Sequence, residues 1–155
     1  EVHHEVELSV ALAEAIQPEH PTKAIFAYGV ALDLTLRDVQ NQAKALRRPW
    51  EAAKAFDGSA PIGRLTLASQ WQPAPHRHIG LSLDGAQVQQ GKLGQMIWDI
   101  PELLRSIDAQ IKLQAGDMIL TGTPAGVGPL SEGQQLNASI SGLPELNCQV
   151  ANQLN

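Results

Sequence analysis

Glu5 and Glu7 are the first residues whose types and spacing suggest chemistry. In an extended segment, side chains two positions apart project from the same face, roughly 6.5–7 Å from one another. Asp33 ends an apolar segment, where an unpaired charge is costly. Carboxylates gathered around one site suit a hard cation such as Mg²⁺, Mn²⁺ or Ca²⁺, with open positions for water and ligand. Two simpler interpretations stay open: a solvated strand face for the glutamates and a helix cap for Asp33.

Two further groups of polar residues could serve such a site. The segment Thr121–Gly128 is rich in glycine and threonine, which let the backbone approach an anion and donate N–H and O–H groups to it. A structural turn is the alternative. Arg37, Gln40 and Lys44 share one face of a predicted helix, and Lys54 follows. Such a face is usually solvated, but if the start of the helix approaches the carboxylates, Arg37 could bind a ligand carboxylate through two nitrogens.

The elements that must position these residues are short. Alternation predicts a strand over Glu5–Leu12 that places the glutamates opposite its apolar residues, and Ala24–Leu34 is a second β-compatible segment. Helical spacing then predicts a helix that begins with a capping box at Thr35 and Asp38 and ends before Pro49. The remaining predicted elements are a strand over Arg64–Ser69, a hairpin of Ile79–Leu83 and Ala86–Gln89 with a type I′ turn at Asp84-Gly85, a helix from Asp99 to Ile107, and strands over Asp117–Thr121, Gln135–Ser141 and Asn147–Ala151. Short strands, few helices and no βαβ rhythm predict one α+β domain over residues 1–155, predominantly β, with antiparallel or mixed sheets.

Composition excludes several classes of protein. The chain has 155 residues, a net charge of −5 and one cysteine, so a disulfide-stapled scaffold is excluded and nucleic acid is a poor partner. No segment approaches the ~18 consecutive apolar residues of a membrane span, and the first residues lack a signal-peptide pattern. We therefore expect a cytoplasmic protein without a nucleic-acid or membrane partner. Because the chain begins at Glu1 with a charged, alternating segment, we also expect that an N-terminal piece is missing.

Other reactive side chains are weaker candidates. His3 and His4 adjoin the glutamates, but adjacent strand residues face opposite ways, so at most one of them reaches the site. The thiol of Cys148 is interpreted as a small core side chain, and no nucleophile elbow is present. The three tryptophans, Trp50, Trp71 and Trp98, are expected to pack in the core, with exposure at a subunit interface as the alternative.

Five segments in order give the chain a wider resemblance. They are His3–Leu8, Ala31–Gln40, Pro49-Trp50 with Ala53–Asp57, Gly91–Trp98, and Leu120–Pro129. Together they resemble the fumarylacetoacetate hydrolase family, and their order fits its small single-domain branch, which includes acylpyruvate hydrolases and oxaloacetate decarboxylases.

The resemblance implies a mixed β-sandwich roll of the family's C-terminal type, usually found as a homodimer. It implies that Glu5, Glu7 and Asp33 hold Mg²⁺ or Mn²⁺, and that the α-keto acid is contacted by Arg37, Gln40, Lys54 and Thr123, with Arg37 and Lys54 as the catalytic residues. The expected activity is hydrolysis of a C–C bond in an acylpyruvate or related β-diketo acid through a metal-stabilised enolate. Oxaloacetate decarboxylation and keto–enol isomerisation are the alternatives within the family.

Three departures from the family pattern matter. The family's water-activating residues lie on a lid upstream of the Glu-x-Glu strand, where this chain begins. Val10–Pro21 is Ala-rich and is expected to be helical or remodelled, and Lys92–Gln95 replaces the usual Asn/Ser-Thr-Ser before Met96. A non-catalytic ligand-binding remnant or subunit is therefore the alternative of another class.

Overall fold

A computed structural model describes residues 1–151, so residues 152–155 of the predicted domain lie outside the described part. The helices are α1 (Arg37–Ala45), α2 (Glu51–Lys54) and α3 (Ile100–Asp108), with 3-10 turns at Pro21–Ala24 and Leu93–Gln95. The strands are β1 (Val2–His4), β2 (Val6–Leu12), β3 (Ile25–Leu32), β4 (Thr35–Leu36), β5 (Thr66–Leu67), β6 (His78–Leu83), β7 (Ala86–Lys92), β8 (Met118–Leu120), β9 (Gly128–Pro129), β10 (Gln135–Ile140) and β11 (Leu146–Gln149).

The fold has three antiparallel sheets: two four-stranded sheets that form a sandwich and one smaller three-stranded sheet. One sheet has the order β5-β3-β2-β8, a second β11-β10-β6-β7, and the third β4-β1-β9. The two larger sheets face each other, since β2 packs against β6 and β3 against β10. The predicted α+β, predominantly β roll is confirmed, and the pairings between these strands are antiparallel.

The β2–β3 hairpin is the centre of the fold. All seven residues of β2 are buried, and those of one face, Val6, Leu8, Val10 and Leu12, belong to the core cluster. The connection over residues 13–24 holds loops and a 3-10 turn, and the first residues of Val10–Pro21 extend β2. Of the two alternatives expected for this segment, helical or remodelled, the helical one is therefore wrong. A register shift between Ala11 and Leu12 marks where the strand bends toward that connection.

The second hairpin follows the expected turn chemistry. β6 and β7 are joined by Asp84-Gly85, whose φ angles are 48° and 83°. A type I′ turn needs positive φ at both positions, which glycine adopts without strain and aspartate tolerates better than most residues. A register shift between Leu81 and Ser82 follows the turn, so the turn and this irregularity together set the register of β7 at Gln89.

The two longer helices differ in how well they were predicted. Asp99 caps α3: its carboxylate accepts from the Glu102 N–H (2.8 Å), and the Glu102 side chain returns to the Asp99 N–H (3.2 Å). The capping box expected at Thr35 is wrong. Thr35 lies in β4, which pairs with β1, and Leu36 occupies the N-cap without a side-chain hydrogen bond. Gln40 is the buried residue of α1, so the expectation that its polar face is solvated is wrong for Gln40.

The core cluster is built mainly from aliphatic side chains of both large sheets and α3. Tyr28 and Trp71 add an edge-to-face aromatic pair, with ring centroids 5.2 Å apart. The expectation that all tryptophans lie in the core is wrong for Trp50 and Trp98, which are about half exposed. Cys148 is only partly buried at the edge of the core. Among residues 1–151, none of the helices has the length and apolar character that crossing a membrane requires.

Candidate active site

Three carboxylates meet where β2 begins and β3 ends. Val6 pairs with Leu32 across the hairpin, so Glu5, just before β2, lies beside Asp33, just after β3. The Asp33 N–H donates to the Glu5 carbonyl oxygen at 2.8 Å and fixes this register. Glu7 lies on the same face of β2 as Glu5, and one oxygen from each of the three carboxylates falls within 4.8 Å of the others.

Two cations neutralise part of this negative charge. Lys54 Nζ at the end of α2 donates to Glu5 Oε2 (2.9 Å) and Asp33 Oδ2 (2.6 Å). Arg37 at the start of α1 donates to Glu5 Oε1 (2.6 Å) and to Gln40 Oε1 (2.7 Å). Burial raises the pKa of Glu5, but the bonds and charges of the two cations outweigh burial and leave that pKa below its usual value. Burial lowers the pKa of Lys54, but the two carboxylates more than offset this and raise it, so Lys54 stays protonated at neutral pH.

Glu7 has the opposite character. Burial is the largest effect and raises its pKa to about 7, with further increases from the charges of Asp33 and Glu5. The Gly122 N–H, which donates to Glu7 Oε2 at 2.6 Å, and the Lys54 charge oppose this rise without cancelling it. A divalent cation would relieve the repulsion that raises this pKa, and an all-oxygen donor set of this kind is what hard cations prefer. The residues present therefore fit such an ion.

The glycine- and threonine-rich loop is fastened to the same strand. Thr121 donates to the Leu8 carbonyl oxygen through both its N–H (3.2 Å) and its hydroxyl (3.0 Å). Gly122 has φ of 103°, a left-handed conformation that favours glycine, and this turn aims its N–H at Glu7. The loop then returns through β9, which pairs with β1.

One buried amide connects the loop to the carboxylate strand. Gln89 of β7 donates to Thr123 Oγ1 (2.8 Å) and the Pro124 carbonyl oxygen (2.9 Å). Its carbonyl oxygen is bonded to the Val6 N–H (3.1 Å) and His4 Nδ1 (2.9 Å).

The structure brings six of the seven predicted site residues into one hydrogen-bonded cluster or directly beside it: Glu5, Glu7, Asp33, Arg37, Gln40 and Lys54. Thr123 is linked to this cluster through Gln89 and through the neighbouring Gly122. Asp33 does not cap α1, and the Arg37–Gln40 face points inward to the carboxylates.

Sequence reasoning missed Gln89 and left His4 undecided. His4 is buried and bonded to Gln89, whereas His3 turns outward toward Glu1. Gln89 lies in an alternating polar strand beside exposed glutamines, and nothing local distinguishes it from them. Only the fold, which brings β7 next to β2, identifies it.

A cavity of about 670 Å³ lies beside the loop, lined by Thr121–Ala125 and by Lys92, Met96 and Trp98 among others. The carboxylates do not line it. The candidate active site is therefore defined by the charged cluster and not by this cavity.

Residues 1–151 match the family described as "Fumarylacetoacetate (FAA) hydrolase C-terminal". The chain belongs to the fumarylacetoacetate hydrolase family. It is 46% identical over 145 residues to oxaloacetate tautomerase YcgM of Escherichia coli (strain K12), covering 91% of this chain and 66% of that protein. It is 37% identical to the mitochondrial oxaloacetate decarboxylase of Dictyostelium discoideum, covering 92% of this chain and 67% of the relative.

Among solved structures, the chain is similar to fumarylpyruvate hydrolase from Pseudomonas aeruginosa in complex with Mn²⁺ and pyruvate. The TM-score is 0.93 at 38% identity, over 98% of this chain and 66% of that one. The chain thus spans about two thirds of the length of the family relatives it matches.

Proposed function

We propose that this chain forms the metal- and keto-acid-binding domain of an enzyme that enolises or decarboxylates a small β-keto acid of the oxaloacetate class. The observation that carries the proposal is the cluster of Glu5, Glu7 and Asp33, held by Arg37 and Lys54. Similarity to an oxaloacetate tautomerase and an oxaloacetate decarboxylase supports the substrate class.

Glu5, Glu7 and Asp33 are the proposed ligands of Mn²⁺ or Mg²⁺, and Ca²⁺ has the same preference for oxygen. When bound, the cation supplies Lewis-acid polarisation of the dicarbonyl end of the substrate. The similarity to a structure with Mn²⁺ and pyruvate favours Mn²⁺ as the first ion to test.

The remaining proposed roles follow from which hydrogen-bond donors and acceptors of each side chain are already in use. Lys54 is protonated and acts as a fixed positive charge beside developing negative charge, not as a base. The side-chain carbonyl oxygen of Gln40 accepts a hydrogen bond from Arg37, so the NH₂ group of Gln40 can donate to a ligand oxygen. Arg37 places one guanidinium nitrogen on Glu5 and another on Gln40, so its remaining N–H groups can face a substrate carboxylate. Thr123 offers a hydroxyl at the loop.

Hydrolysis of a C–C bond in an acylpyruvate is the second candidate function. The similarity to fumarylpyruvate hydrolase, at a TM-score of 0.93, favours it. Hydrolysis needs a base that activates water in addition to the groups above. Tautomerisation needs one group that removes a proton from the acid and one that returns a proton at another atom, whereas decarboxylation needs charge stabilisation and a proton donor.

The first experiment is calorimetric titration of Mn²⁺ into the chelator-treated protein with oxalate present, because oxalate mimics an enolised keto acid. Saturable 1:1 binding is expected, with loss in Asp33→Asn and retention in Asp57→Asn, which makes the same change at an exposed position. Equal binding by both variants would contradict the proposed metal site.

Turnover separates the candidate activities. Decay of the oxaloacetate enol absorbance without carbon dioxide release indicates a tautomerase. Release of carbon dioxide from oxaloacetate indicates a decarboxylase, and loss of fumarylpyruvate indicates a hydrolase. Mn²⁺ and oxalate binding without turnover of any substrate would favour the non-catalytic alternative.

A homodimer in the cytoplasm is part of the proposal. Ile97 and Trp98 are 97% and 51% exposed, and such side chains are enriched where a partner covers them. Sedimentation of the wild type and of Trp98→Glu tests the dimer, and cell fractionation tests the location.

A further inference from the structure

Gln89 has every hydrogen-bonding group of its amide engaged although it is 99% buried, with 1% of its surface exposed. Its two ends contact different parts of the site: the start of β2 on one side and the loop at Thr123-Pro124 on the other. Along the chain, Val6 is 83 residues from Gln89, and Thr123 and Pro124 are 34 and 35 residues from it. A buried amide with both ends satisfied by distant elements fixes the distance and orientation between them.

The orientation of this amide follows from two partners with only one role each. The Val6 N–H can only donate, so it selects the Gln89 carbonyl oxygen. The Pro124 carbonyl oxygen can only accept, so it selects the Gln89 NH₂ group. The other two contacts are then determined: His4 donates from Nδ1, and Thr123 Oγ1 accepts from Gln89.

This assignment has a consequence for Thr123. A threonine hydroxyl has one hydrogen to donate, and Gln89 occupies an acceptor position of Oγ1 without using that hydrogen. The hydrogen stays available for an anion beside the loop. Thr123 is next to Gly122, whose N–H donates to the carboxylate of Glu7. A ligand bound near the three carboxylates is therefore close enough for the loop to contact it.

We propose that Gln89 is a positioning residue that holds Thr123 as a hydrogen-bond donor toward the carboxylate of the keto acid and selects the His4 tautomer with its hydrogen on Nδ1. Gln89 acts through Thr123 and does not touch the substrate. The inference rests on the proposed function, since it assigns a role in binding the same acid.

Gln89→Glu tests this with a change of one atom type. The carboxylate still accepts from Val6 and His4, but its second oxygen replaces the NH₂ group, so it faces Thr123 Oγ1 and loses the hydrogen bond to the Pro124 carbonyl oxygen. The Thr123 hydroxyl then donates to Glu and is withdrawn from the ligand. Loss of a charge-assisted hydrogen bond of this kind weakens ligand binding by about tenfold or more.

The experiment measures Mn²⁺ affinity and oxalate affinity separately by calorimetry. For Gln89→Glu we expect oxalate affinity to fall about tenfold and Mn²⁺ affinity to change by less than about threefold. Gln87→Glu makes the same substitution at an exposed position of β7 and should change neither. In a Thr123→Val background, Gln89→Glu should cause no further loss of oxalate affinity, because the donor is already gone.

Each outcome decides between the two proposals. If wild-type protein binds neither Mn²⁺ nor oxalate, the proposed function fails and the role of Gln89 with it. If wild type binds both and Gln89→Glu equals Gln87→Glu, the function stands and the role of Gln89 is overturned. A parallel loss of Mn²⁺ and oxalate affinity, or full additivity with Thr123→Val, would indicate a merely structural residue and also overturn it.

A measurement on the wild type keeps the inference testable if Gln89→Glu does not fold. Nitrogen-15 NMR of the His4 ring should show a hydrogen on Nδ1, as the Gln89 carbonyl oxygen requires. A ring whose only hydrogen is on Nε2 would contradict the amide orientation and overturn the proposal.

Discussion

Glu7→Gln should stabilise the metal-free protein at neutral and alkaline pH. Glu7 is 5% exposed and lies beside Glu5 and Asp33, and its pKa is raised to about 7, first by burial and then by these charges. Glutamine keeps an oxygen that can accept from the Gly122 N–H, which donates to Glu7 Oε2 in the wild type, but it cannot ionise. The substitution therefore removes the cost of a buried charge and keeps its main hydrogen bond.

The magnitude follows from the difference in pKa between the unfolded and folded chain. Below an unfolded pKa of 4.5 the carboxyl is protonated in both states and costs nothing. As pH rises toward the folded value of about 7, the unfolded state loses its proton first, so the free energy of unfolding falls. Above that pH the loss is complete and amounts to about 3 kcal/mol.

Urea unfolding followed by tryptophan fluorescence, with a chelator present, measures this effect. Near pH 8 we expect Glu7→Gln to be more stable than the wild type by up to about 3 kcal/mol, and near pH 5 the two should agree within about 1 kcal/mol. Glu14→Gln, at an exposed position, should follow the wild type at both pH values.

Saturating Mn²⁺ should reverse the order of the two proteins. Binding to the folded state stabilises the wild type by mass action, and the variant gains less because it has lost an anionic ligand. An identical pH dependence of wild type and Glu7→Gln in chelator would refute the assignment of the raised pKa to Glu7. Failure of Mn²⁺ to reverse the order would refute its role as a ligand.

Three further substitutions test the charge balance, the core and the loop. Lys54→Met should tighten Mn²⁺ binding about tenfold or more in calorimetry and weaken oxalate binding, because the ammonium group competes for the metal's carboxylates yet attracts the acid. Leu104→Ala should lower the free energy of unfolding by 2–5 kcal/mol in urea titrations, the order of magnitude of a fully buried leucine truncation, and a loss below about 1 kcal/mol would contradict its burial. Gly126→Ala should destabilise the fold by more than about 2 kcal/mol, since Gly126 has φ of 101° and a Cβ would overlap the Val88 carbonyl oxygen; an unchanged midpoint would contradict that geometry.

Local patterns predicted the parts of the fold that depend on neighbours in sequence. Alternation located β2, and Asp84-Gly85 set the β6–β7 turn, because side-chain period and turn conformation are properties of a few consecutive residues. Pro101 and Asp99 located the start of α3 for the same reason. Convergence of the three carboxylates depends on the register of β2 with β3, which local patterns do not give. The family resemblance implied the ligand set, and the pairing of Val6 with Leu32 explains it.

Local patterns failed where a distant element decides the outcome. The polar face of α1 was expected to be solvated, but the charge of Glu5 gives it a buried partner, so Arg37 and Gln40 turn inward. Thr35 had the sequence of a cap, yet pairing with β1 draws it into a strand. Gln89 was missed because the sequence does not show that β7 crosses the start of β2.

The charges of the site also imply an order of binding. Three carboxylates with Lys54 and Arg37 carry a net charge of −1 when all are ionised, so an anionic keto acid meets repulsion. A divalent cation changes the sum to +1 and turns repulsion into attraction. Burial strengthens both the repulsion without the metal and the attraction with it, because the charged groups are largely removed from water. The acid should therefore bind after the metal, and calorimetry of oxalate in chelator should show affinity at least about tenfold weaker than with Mn²⁺ present. Equal affinity in the two conditions would mean that Arg37 and Lys54 alone determine anion binding.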